Sequence, residues 1–564
     1  MKKFTYLFLL ACLPGYLSAQ LAPEKYIAFF TNKNSNPYTI SNPSAFLSQR
    51  ALDRRIKHNV SVDESDLPVT PSYVEGVSAI GVNVIYSLKW FNAVVFQTPD
   101  TNLVNMVKQL SYVSGVEKAN NNGQIVKTSH TGIQSESDFA IVPLLSTHEG
   151  VPQGGFKTGT NTTVYSYGAA YNQIAMLNGH LLHDLGYNGA GILVAVLDAG
   201  FRSADQVSGF DSVFNSGRLM GTRDFVEPGY NVFDPSIHSH GTLVWSTMAG
   251  NLSGTFVGTA PGASYFLIRT EDGPTEFLIE EYNWVAGAEL ADSLGADVIN
   301  SSLGYTEFDD FTQNHTYADM NGNTTPITIG ADIVSKKGVL VVNSAGNAGN
   351  TPWKYIGAPA DGDSVFTIGA VDQSGIYAAL SSVGPTFDGR LKPDVVAQGK
   401  NAYFISTDGG IGYGDGTSFS SPIIAGMVAC LMQAHPSLTN MQIRNAIISS
   451  GSLVNNPDSL MGNGIPDFLL AHQMLTTDTH QAKDYTLNVY PNPVKSYLRV
   501  VIPSSLQTFT LDVFDINGRT MFSKSERANE NTYTLTEVSG LKQGVYFIQL
   551  FDGKTKYRAR FVKM

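Results

Sequence analysis

Short apolar runs separated by helix-like segments constrain the fold of the middle of this chain more than any other feature. Five runs are nearly continuous in apolar residues: 191–197, 265–269, 297–302, 339–343 and 364–371. Such runs are typical of parallel strands that are covered on both faces. The segments 276–294 and 327–337 between them have helical spacing and stop before glycines, which suit C-terminal helix caps. Right-handed crossovers between such strands predict a doubly wound, mainly parallel α/β sheet.

Three residues that can carry out nucleophilic catalysis lie in this region. Asp198 follows the first apolar run, His240 begins a His-Gly-Thr segment, and Ser418 lies in Gly-Thr-Ser-Phe-Ser-Ser-Pro. A serine hydroxyl becomes a good nucleophile when an imidazole removes its proton and a carboxylate orients the imidazole. Singly, the three have ordinary explanations as a buried turn carboxylate, a helix-start histidine and a helix-cap serine. Together, and with strand ends as the usual ligand site of such sheets, they predict an Asp-His-Ser triad.

The segments around these residues resemble the subtilisin-like serine peptidases. Val-Leu-Asp-Ala-Gly, His-Gly-Thr and Gly-Thr-Ser-x-x-Ser-Pro follow one another in the order Asp, His, Ser, which is the order found in subtilisin. Two further segments similar to that family, 297–304 and 343–347, lie between the last two motifs. The resemblance covers about residues 160–475. It implies a secreted serine endopeptidase of subtilisin-like fold that hydrolyses peptide bonds through an acyl-enzyme intermediate.

The resemblance also implies roles for residues around the triad. The Asn347 side-chain amide and the Ser418 backbone N–H would bind the oxyanion of the tetrahedral intermediate. Two extended segments would hydrogen-bond the peptide main chain, and a small floor at Gly357 would leave room for a large P1 side chain. The substrate-binding residues implied in this way are Ser302, Leu303, Gly304, Ser344, Ala345, Gly346 and Gly357.

Some positions depart from the pattern of that family. Ala199 stands where the family usually has Ser or Thr, so a hydrogen bond to the neighbouring Asp198 carboxylate is expected to be missing. Leu243 replaces the usual second histidine after His-Gly-Thr. A polar insert at 306–325 follows the cleft strand, and we expect it to reshape the rim of the cleft.

No metal site is predicted from the sequence. The chemistry requires no cofactor, and structural calcium, which the family can bind, has its ligands in variable loops where no site can be placed. Asp309 and Asp310 are interpreted as solvated acids. His180 and His183 have the i, i+3 spacing of one helix face, but no glutamate accompanies them as in His-Glu-x-x-His. A core role is therefore favoured over metal binding for these histidines.

The N-terminus has the pattern of a secretory signal peptide over 1–19. Two lysines precede an apolar stretch at 4–12, and Ala19 offers a small residue at the cleavage point. The apolar stretch is too short to span a membrane. A lipoprotein signal at Leu-Leu-Ala-Cys, which ends at Cys12, is the alternative. Removal of the signal leaves Cys430 as the one cysteine, so no internal disulfide is expected.

Residues 20–150 are predicted to form a small α/β unit followed by a cleavable connector, with the polar stretch 119–163 as that connector. The predicted strands are 26–30, 82–88, 93–97 and 113–118, and the predicted helices are 43–56 and 102–110. This succession resembles the ferredoxin-like propeptides of the subtilisin-like peptidases. A propeptide that docks as a template would lower the folding barrier of the catalytic part, whose parallel strands form slowly through non-local contacts. An ordinary accessory domain is the alternative.

A separate module at 483–564 follows a predicted linker at 476–484. Short alternating segments separated by turn residues predict a β-sandwich. The Tyr-Pro-Asn-Pro start, the Gly-Val-Tyr-Phe segment and the basic end at 554–563 resemble the C-terminal sorting domains of the type IX secretion route. The signal peptide would then carry the chain to the periplasm, and this domain would carry it across the outer membrane to the surface or medium. A carbohydrate- or surface-binding sandwich is the alternative, and a basic run alone is typical of a solvated face.

Charge and composition narrow the class of partner. Lys and Arg total 36 against 48 Asp and Glu, and no basic stripe with interleaved aromatics indicates nucleic-acid binding. Protein or peptide substrates and, through the C-terminal module, a secretion machinery are the expected partners of a monomeric chain. A catalytically silent binding scaffold stays open as a second function. A sedolisin-type acid peptidase is disfavoured, because it would use Glu and Asp in place of His240 and Asn347.

Overall fold

The computed structural model describes residues 24–119, 140–142, 164–478, 483–503, 506, 508–516, 519–527, 531–551 and 555–564. The chain divides into two compact units, Met1–His472 and Gln473–Met564. The predicted signal peptide, the alternative lipoprotein cysteine Cys12 and most of the predicted connector lie outside the described residues.

The N-terminal part of the first unit is a four-stranded antiparallel sheet with the strand order β2-β3-β1-β4, which is the predicted ferredoxin-like arrangement. Alternate residues of its central strand serve two cores. Tyr26 and Ala28 pack under the helices of this part, whereas Ile27 joins the core shared with the rest of the unit. The elements are β1 Lys25–Phe30, α1 Gln49–His58, α2 Pro71–Ala79, β2 Asn83–Leu88, β3 Ala93–Gln97, α3 Thr101–Lys108 and β4 Val113–Lys118.

The helices of this part differ from the sequence prediction. The predicted helix at 43–56 is shifted, because the Ser48 side chain caps the backbone N–H of Ala51 and starts α1 at Gln49. The prediction missed α2, which begins at a proline and contains Gly76, a poor helix former. Since α2 and α3 complete the βαββαβ pattern, α1 is an addition to it.

The rest of the first unit is built on a seven-stranded sheet in which every pair is parallel, with the order β14-β13-β12-β11-β6-β10-β7. Its elements are β5 Ala140–Val142, α4 Tyr171–Ala175, α5 Gly179–Asp184, β6 Leu193–Asp198, α6 Asp211–Asn215, β7 Leu219–Asp224, α7 His240–Ala249, β8 Asn251–Leu252, β9 Phe256–Val257, β10 Ser264–Arg269, α8 Ile279–Leu294, β11 Val298–Ser301, α9 Pro326–Lys336, β12 Leu340–Ser344, β13 Phe366–Val371, β14 Val395–Gln398, β15 Ala402–Ile405, β16 Ile411–Gly414, α10 Thr417–Ala434, α11 Asn440–Ser449 and α12 Phe468–Asp478.

The sheet is doubly wound, as predicted. The chain builds β7 and β10 on one side of β6 and then crosses to β11 and its neighbours on the other side. The carboxyl end of β6, where Asp198 lies, is therefore the switch point of the sheet, the usual place for a ligand site. α10 has the length and the mean hydropathy of 1.3 of a membrane-spanning helix, but 89% of it is buried, so it is a core helix.

Part of the predicted connector pairs with the first unit. β5, at Ala140–Val142, forms an antiparallel edge strand beside β16, which with β15 makes a three-stranded sheet. The predicted end of the N-terminal region at residue 150 stays a prediction.

The second unit has the predicted β-sandwich pattern of two sheets over one core. The sheet orders are β17-β24-β23-β20-β21 and β18-β19-β22, and residues such as Leu498, Leu511 and Ile548 form the shared core. The strands are β17 Lys483–Thr486, β18 Val489–Tyr490, β19 Leu498–Val501, β20 Thr508–Asp515, β21 Thr520–Arg527, β22 Thr532–Leu535, β23 Gly544–Phe551 and β24 Thr555–Lys563.

Both ends of the predicted linker at 476–484 lie in regular elements, because α12 ends at Asp478 and β17 begins at Lys483, while 479–482 lie outside the described residues. The basic end at 554–563 is a strand of the larger sheet, paired with both β23 and β17. Arg558 and Arg560 are exposed while Phe561 is buried, so these two positive charges lie on one face of the strand.

Candidate active site

β6 and α7 bring the predicted acid and base together. Asp198 is the last residue of β6, and His240 is the first residue of α7. Nδ1 of His240 lies 2.7 Å from Oδ1 of Asp198, and both side chains are buried. The carboxylate can therefore hold the imidazole in one tautomer and stabilise its protonated form.

The Asp198 carboxylate is only half satisfied. Oδ1 accepts a 2.8 Å hydrogen bond from the Ala199 backbone N–H as well as facing His240. Oδ2 is buried and accepts no hydrogen bond from any described residue. Such an oxygen is rare in proteins. This agrees with the hydrogen bond expected to be missing at Ala199, whose methyl side chain has no donor.

Ser418 lies in the first turn of α10. Its backbone N–H has no acceptor within the helix, because the first turn leaves such groups unpaired, and the positive end of the helix dipole lies there. The Ser418 hydroxyl donates a long 3.5 Å bond to the Ser302 carbonyl, and the described contacts of His240 do not include that hydroxyl. Catalytic hydrogen bonds often tighten only when substrate binds, so this rotamer is compatible with the predicted triad.

The Asn347 side chain has a fixed orientation. Its Oδ1 accepts 2.9 Å hydrogen bonds from both the backbone N–H and the hydroxyl of Thr417. The amide Nδ2, a donor, is left for the cleft that Asn347 and Ser418 both line. Asn347, with a side-chain donor, and Ser418, at a helix N-terminus, therefore line the same cleft.

The cleft is lined by five of the seven predicted substrate-binding residues, namely Gly304, Ser344, Ala345, Gly346 and Gly357. The other two, Ser302 and Leu303, are buried and are not among the residues that line it, so their contact with substrate stays a prediction. Their polar groups are used internally. The Ser302 hydroxyl donates a 2.9 Å hydrogen bond to the Ser418 carbonyl. The Leu303 carbonyl accepts a 3.1 Å hydrogen bond from the side-chain amide of Asn343. They therefore support the cleft.

Two glycines are required by the geometry of the cleft. Gly346 has φ +100°, and a side chain there would also contact Ser382. A Cβ on Gly357 would lie 2.9 Å from Cγ2 of Thr306, so a larger residue would crowd the floor. Sequence reasoning missed six further lining residues: Thr306, Ala348, Trp353, Tyr355, Ser382 and Thr417. The aromatic residues directly before Ile-Gly-Ala-Pro were the available signal for two of them.

The insert at 306–325 contacts the rim of the cleft, as expected. The Tyr317 ring stacks on Tyr355, a cleft residue, with ring centroids 4.1 Å apart. The interpretation of Asp309 and Asp310 as solvated was wrong, since both are buried. Asp309 accepts from the backbone N–H of Glu276, and Asp310 caps a short turn. Both side chains therefore organise the insert.

The remaining predicted positions have core roles. Nδ1 of His183 is 2.8 Å from the Tyr167 hydroxyl and Nε2 is 3.0 Å from the Thr259 carbonyl, so both ring nitrogens are used within the core. Leu243 is buried in a small apolar cluster with Phe404 and others. Among the described residues, no three His, Cys, Asp or Glu side chains form a group that could hold a metal ion.

A set of buried acids lies beside Asp198. Burial, together with the negative charge of Asp198, raises the pKa of Glu271 to about 8, although the Tyr305 hydroxyl donates a 3.0 Å hydrogen bond to it. Burial also raises the pKa of Glu276 and of Glu280. With a pKa of about 8, Glu271 therefore stays mostly protonated at neutral pH.

Comparison with known proteins gave three family matches. Residues 189–464 match Peptidase_S8, the subtilase family, residues 25–134 match the Peptidase S8 propeptide domain of Bacteroidota, and residues 488–564 match a secretion system C-terminal sorting domain. Among solved structures, the chain is similar to the crystal structure of MycP1 with the N-terminal propeptide removed. The sequence identity is 24% and the TM-score is 0.42, and the match covers 53% of this chain and 96% of that one.

Curated relatives match the same central region. The chain is 32% identical over 286 residues to subtilisin NAT from Bacillus subtilis subsp. natto, which covers 50% of this chain and 66% of that protein. It is 30% identical over 286 residues to subtilisin from Bacillus pumilus, which covers 50% of this chain and 92% of that protein. The chain thus spans slightly less than two thirds of the length of the first of these relatives.

Proposed function

This chain belongs to the subtilase family, and from that premise we propose that it is a secreted serine endopeptidase that acts through an Asp198-His240-Ser418 triad. The observation that carries the proposal is the buried 2.7 Å contact between His240 and Asp198, and it is supported by a cleft that Ser418 and Asn347 both line. The match at 488–564 indicates export to the cell surface or outside the cell.

The proposed reaction starts with proton transfer from the Ser418 hydroxyl to Nε2 of His240. Oγ of Ser418 attacks the carbonyl carbon of the scissile bond, while Asp198 stabilises the imidazolium that forms. His240 then gives its proton to the leaving amine, and the acyl group stays on Ser418. Water, activated by the same imidazole, hydrolyses this ester and regenerates the serine. These steps use side chains of the chain itself and need no cofactor.

The oxyanion of each tetrahedral intermediate would accept hydrogen bonds from Nδ2 of Asn347 and from the Ser418 backbone N–H. Both donors are held before the reaction, Asn347 by its two bonds from Thr417 and the N–H by the helix. Donors that need no reorganisation stabilise the transition state more than the ground state.

Proteins or peptides in extended conformation are the proposed substrates. The backbones of Gly304 and of 344–346 would hydrogen-bond the substrate main chain, and the P1 side chain would enter the space above Gly357. Among the described residues that line this space none is charged, and Trp353 and Tyr355 contribute aromatic surface. An uncharged P1 side chain therefore fits the cleft best.

Substitution of Ser418 by Ala tests the proposed function. We expect hydrolysis of a peptide p-nitroanilide to fall by about 10⁶-fold, a loss seen when the serine of a subtilisin is removed. The wild type should lose activity in proportion to labelling by a phosphonyl fluoride, and the variant should not react. Activity retained by the variant would refute the mechanism. A folded wild type that neither hydrolyses peptides nor reacts with the reagent would favour the silent binding scaffold.

We further propose that the part containing β1 to β4 is a docked propeptide that assists folding and blocks premature activity. Its sheet shares an apolar core with α8 and α9, and the Tyr86 hydroxyl donates to Asn283 of α8. The backbone N–H groups of Lys89 and Trp90 both donate 2.8 Å bonds to the Glu289 carboxylate. Burial of this area supports a stable complex in which the propeptide holds α8 in place.

The added helix α1 makes a second, ionic contact with the catalytic part. Arg54 donates to the Ala296 and Lys337 carbonyls, which are left free where α8 and α9 end. Arg54, Arg55 and Lys89 all pair with Asp292. We call this set of four residues the α1 contact.

Processing of the Ser418→Ala chain tests whether the propeptide is removed by the enzyme itself. We expect the purified variant to keep an uncut connector, while the wild type is cut there, as intact-mass measurement would show. A variant that is cut at the same bond when it is produced and purified alone would rule out self-processing.

A further inference from the structure

Tyr305 and Glu271 form a buried hydrogen-bonded pair between two sides of the cleft. The Tyr305 hydroxyl donates a 3.0 Å bond to Oε2 of Glu271, and both side chains are almost completely buried. The two residues lie on different loops. Glu271 lies in the loop after β10, and Tyr305 lies in the loop after β11. The pair therefore joins two loops at the carboxyl edge of the sheet.

The backbone of Tyr305 holds the wall of the cleft to its floor. Its N–H donates a 2.8 Å hydrogen bond to the Ala358 carbonyl, and its carbonyl accepts a 3.2 Å hydrogen bond from the Ala358 N–H. Tyr305 directly follows Gly304 of the wall, and Ala358 directly follows Gly357 of the floor. Any shift of Tyr305 would therefore move both cleft glycines.

Glu271 lies in the loop that follows the strand paired with the strand of Asp198. The preceding residue, Thr270, donates its backbone N–H to the Asp198 carbonyl at 3.0 Å, and β10 pairs with β6 in register up to Arg269 and Asp198. The Glu271 carboxyl group thus lies beside the strand end that carries Asp198. A side chain attached there can fix the cleft relative to the triad.

We propose that Glu271 and Tyr305 are a positioning pair that fixes the P1 pocket relative to Asp198. Neither residue touches the reacting atoms in this proposal, which rests on the proposed peptidase function. Loss of the hydrogen bond would let the wall and floor move away from Ser418, so the main effect falls on substrate binding.

The charge state of the pair provides a signature that a purely structural role would lack. Glu271 faces the negative charges of Asp198 and Asp272, and Glu276 and Glu280 lie near it, while Tyr305 donates to it. Because its pKa is raised to about 8, Glu271 is neutral at pH 7 and ionises above pH 8. A second negative charge beside Asp198 would favour the imidazolium formed in the transition state. Wild-type kcat/KM should therefore show an additional rise above about pH 8.

The experiment compares Tyr305→Phe, Glu271→Ala, Glu271→Gln and the double variant Tyr305→Phe/Glu271→Ala in the full chain. Loss of one buried hydrogen bond should raise KM for a peptide p-nitroanilide about fivefold, with kcat within twofold. The double variant should show the KM of either single variant, because both remove the same bond. Glu271→Gln keeps an acceptor for Tyr305, so its KM should stay near the wild type while the rise above pH 8 disappears.

Tyr265→Phe is the matched control. Tyr265 is fully buried on β10, and its hydroxyl donates 2.8 Å to the Ala260 carbonyl, away from the cleft residues. The Tyr265→Phe variant should lose about as much thermal stability as Tyr305→Phe, while its KM stays at the wild-type value. A Tyr305→Phe variant whose KM matches that of Tyr265→Phe would overturn the proposal, as would single-variant effects on KM that multiply in the double variant. If Tyr305→Phe fails to fold, loss of the alkaline rise in Glu271→Gln decides the outcome.

Titration with a phosphonyl fluoride separates this proposal from the proposed function. A wild type without reactive serine refutes the peptidase. Full titration of every variant with unchanged KM and an unchanged pH profile refutes only the positioning pair.

Discussion

The α1 contact and the buried acids around Glu271 are two buried regions with opposite chemistry. In the α1 contact, Asp292 meets three cations, and Arg55 also pairs with Asp66. Burial alone would raise the pKa of Asp66, but hydrogen bonds and charge from Arg55 and Lys337 lower it to about 2. Beside the cleft, Glu271 meets Asp198 in place of a cation, and its pKa rises.

The difference shows that burial does not decide by itself whether an acid is ionised. Exclusion of water disfavours the charged form in both regions, and the nearest charges then determine the outcome. Paired ions in the α1 contact make it specific and strongly dependent on each partner. Near Asp198, burial and the Asp198 charge raise the pKa of Glu271 to about 8, so Glu271 adds little negative charge beside Asp198 at pH 7. One region is suited to holding two parts of the chain together, and the other to supporting a charge that appears during a reaction.

The largest effect is expected from breaking the α1 contact by Arg54→Met. The substitution leaves buried acceptors and part of the Asp292 charge uncompensated, which costs about 3–5 kcal/mol of unfolding free energy. Urea unfolding in the Ser418→Ala background would measure this without self-digestion. Asp53→Ala, on the exposed side of the same helix, should change stability by less than about 0.5 kcal/mol. Equal effects of the two substitutions would contradict the view that paired charge holds α1 in place.

The next effect concerns charge that exists only in the transition state. Asn347→Ala should lower kcat by about 100- to 1,000-fold, with a smaller change in KM, a range known from a subtilisin. The reason is that Nδ2 would bind the oxyanion more strongly than the substrate carbonyl. Steady-state kinetics on a peptide substrate would measure both constants. A normal kcat with a greatly raised KM would instead place Asn347 in ground-state binding.

The contact between Asp198 and His240 could be predicted from the sequence, and the proposed triad rests on short segments whose local structure is simple. Asp198 ends a buried strand, and His240 and Ser418 begin helices, so the motif and the element boundary coincide. The parallel sheet was predictable for the same reason, since each of its predicted strands is a continuous apolar run.

Contacts between distant segments could not be predicted in this way. Glu271 and Tyr305 are 34 residues apart, and no local pattern indicates that they meet. The α1 contact joins residues more than 200 positions apart, so its arginines resemble those of any exposed helix in the sequence. β24 was missed because its exposed face carries the charges that otherwise indicate a solvated tail.

The smallest effect on hydrolysis is expected from deletion of 483–564. This deletion tests whether the α1 contact and the cleft work without the second compact unit. All residues of the α1 contact and the cleft belong to the first compact unit, whereas the second unit has its own core. The truncated enzyme should therefore keep kcat/KM within about twofold while it accumulates in the periplasm, because the matched sorting domain is gone. Fractionation and a peptidase assay would measure both, and fusion of 483–564 to an inert periplasmic reporter is the complementary control. Normal export combined with loss of binding to an insoluble substrate or glycan would refute the sorting role and identify the sandwich as a binding module.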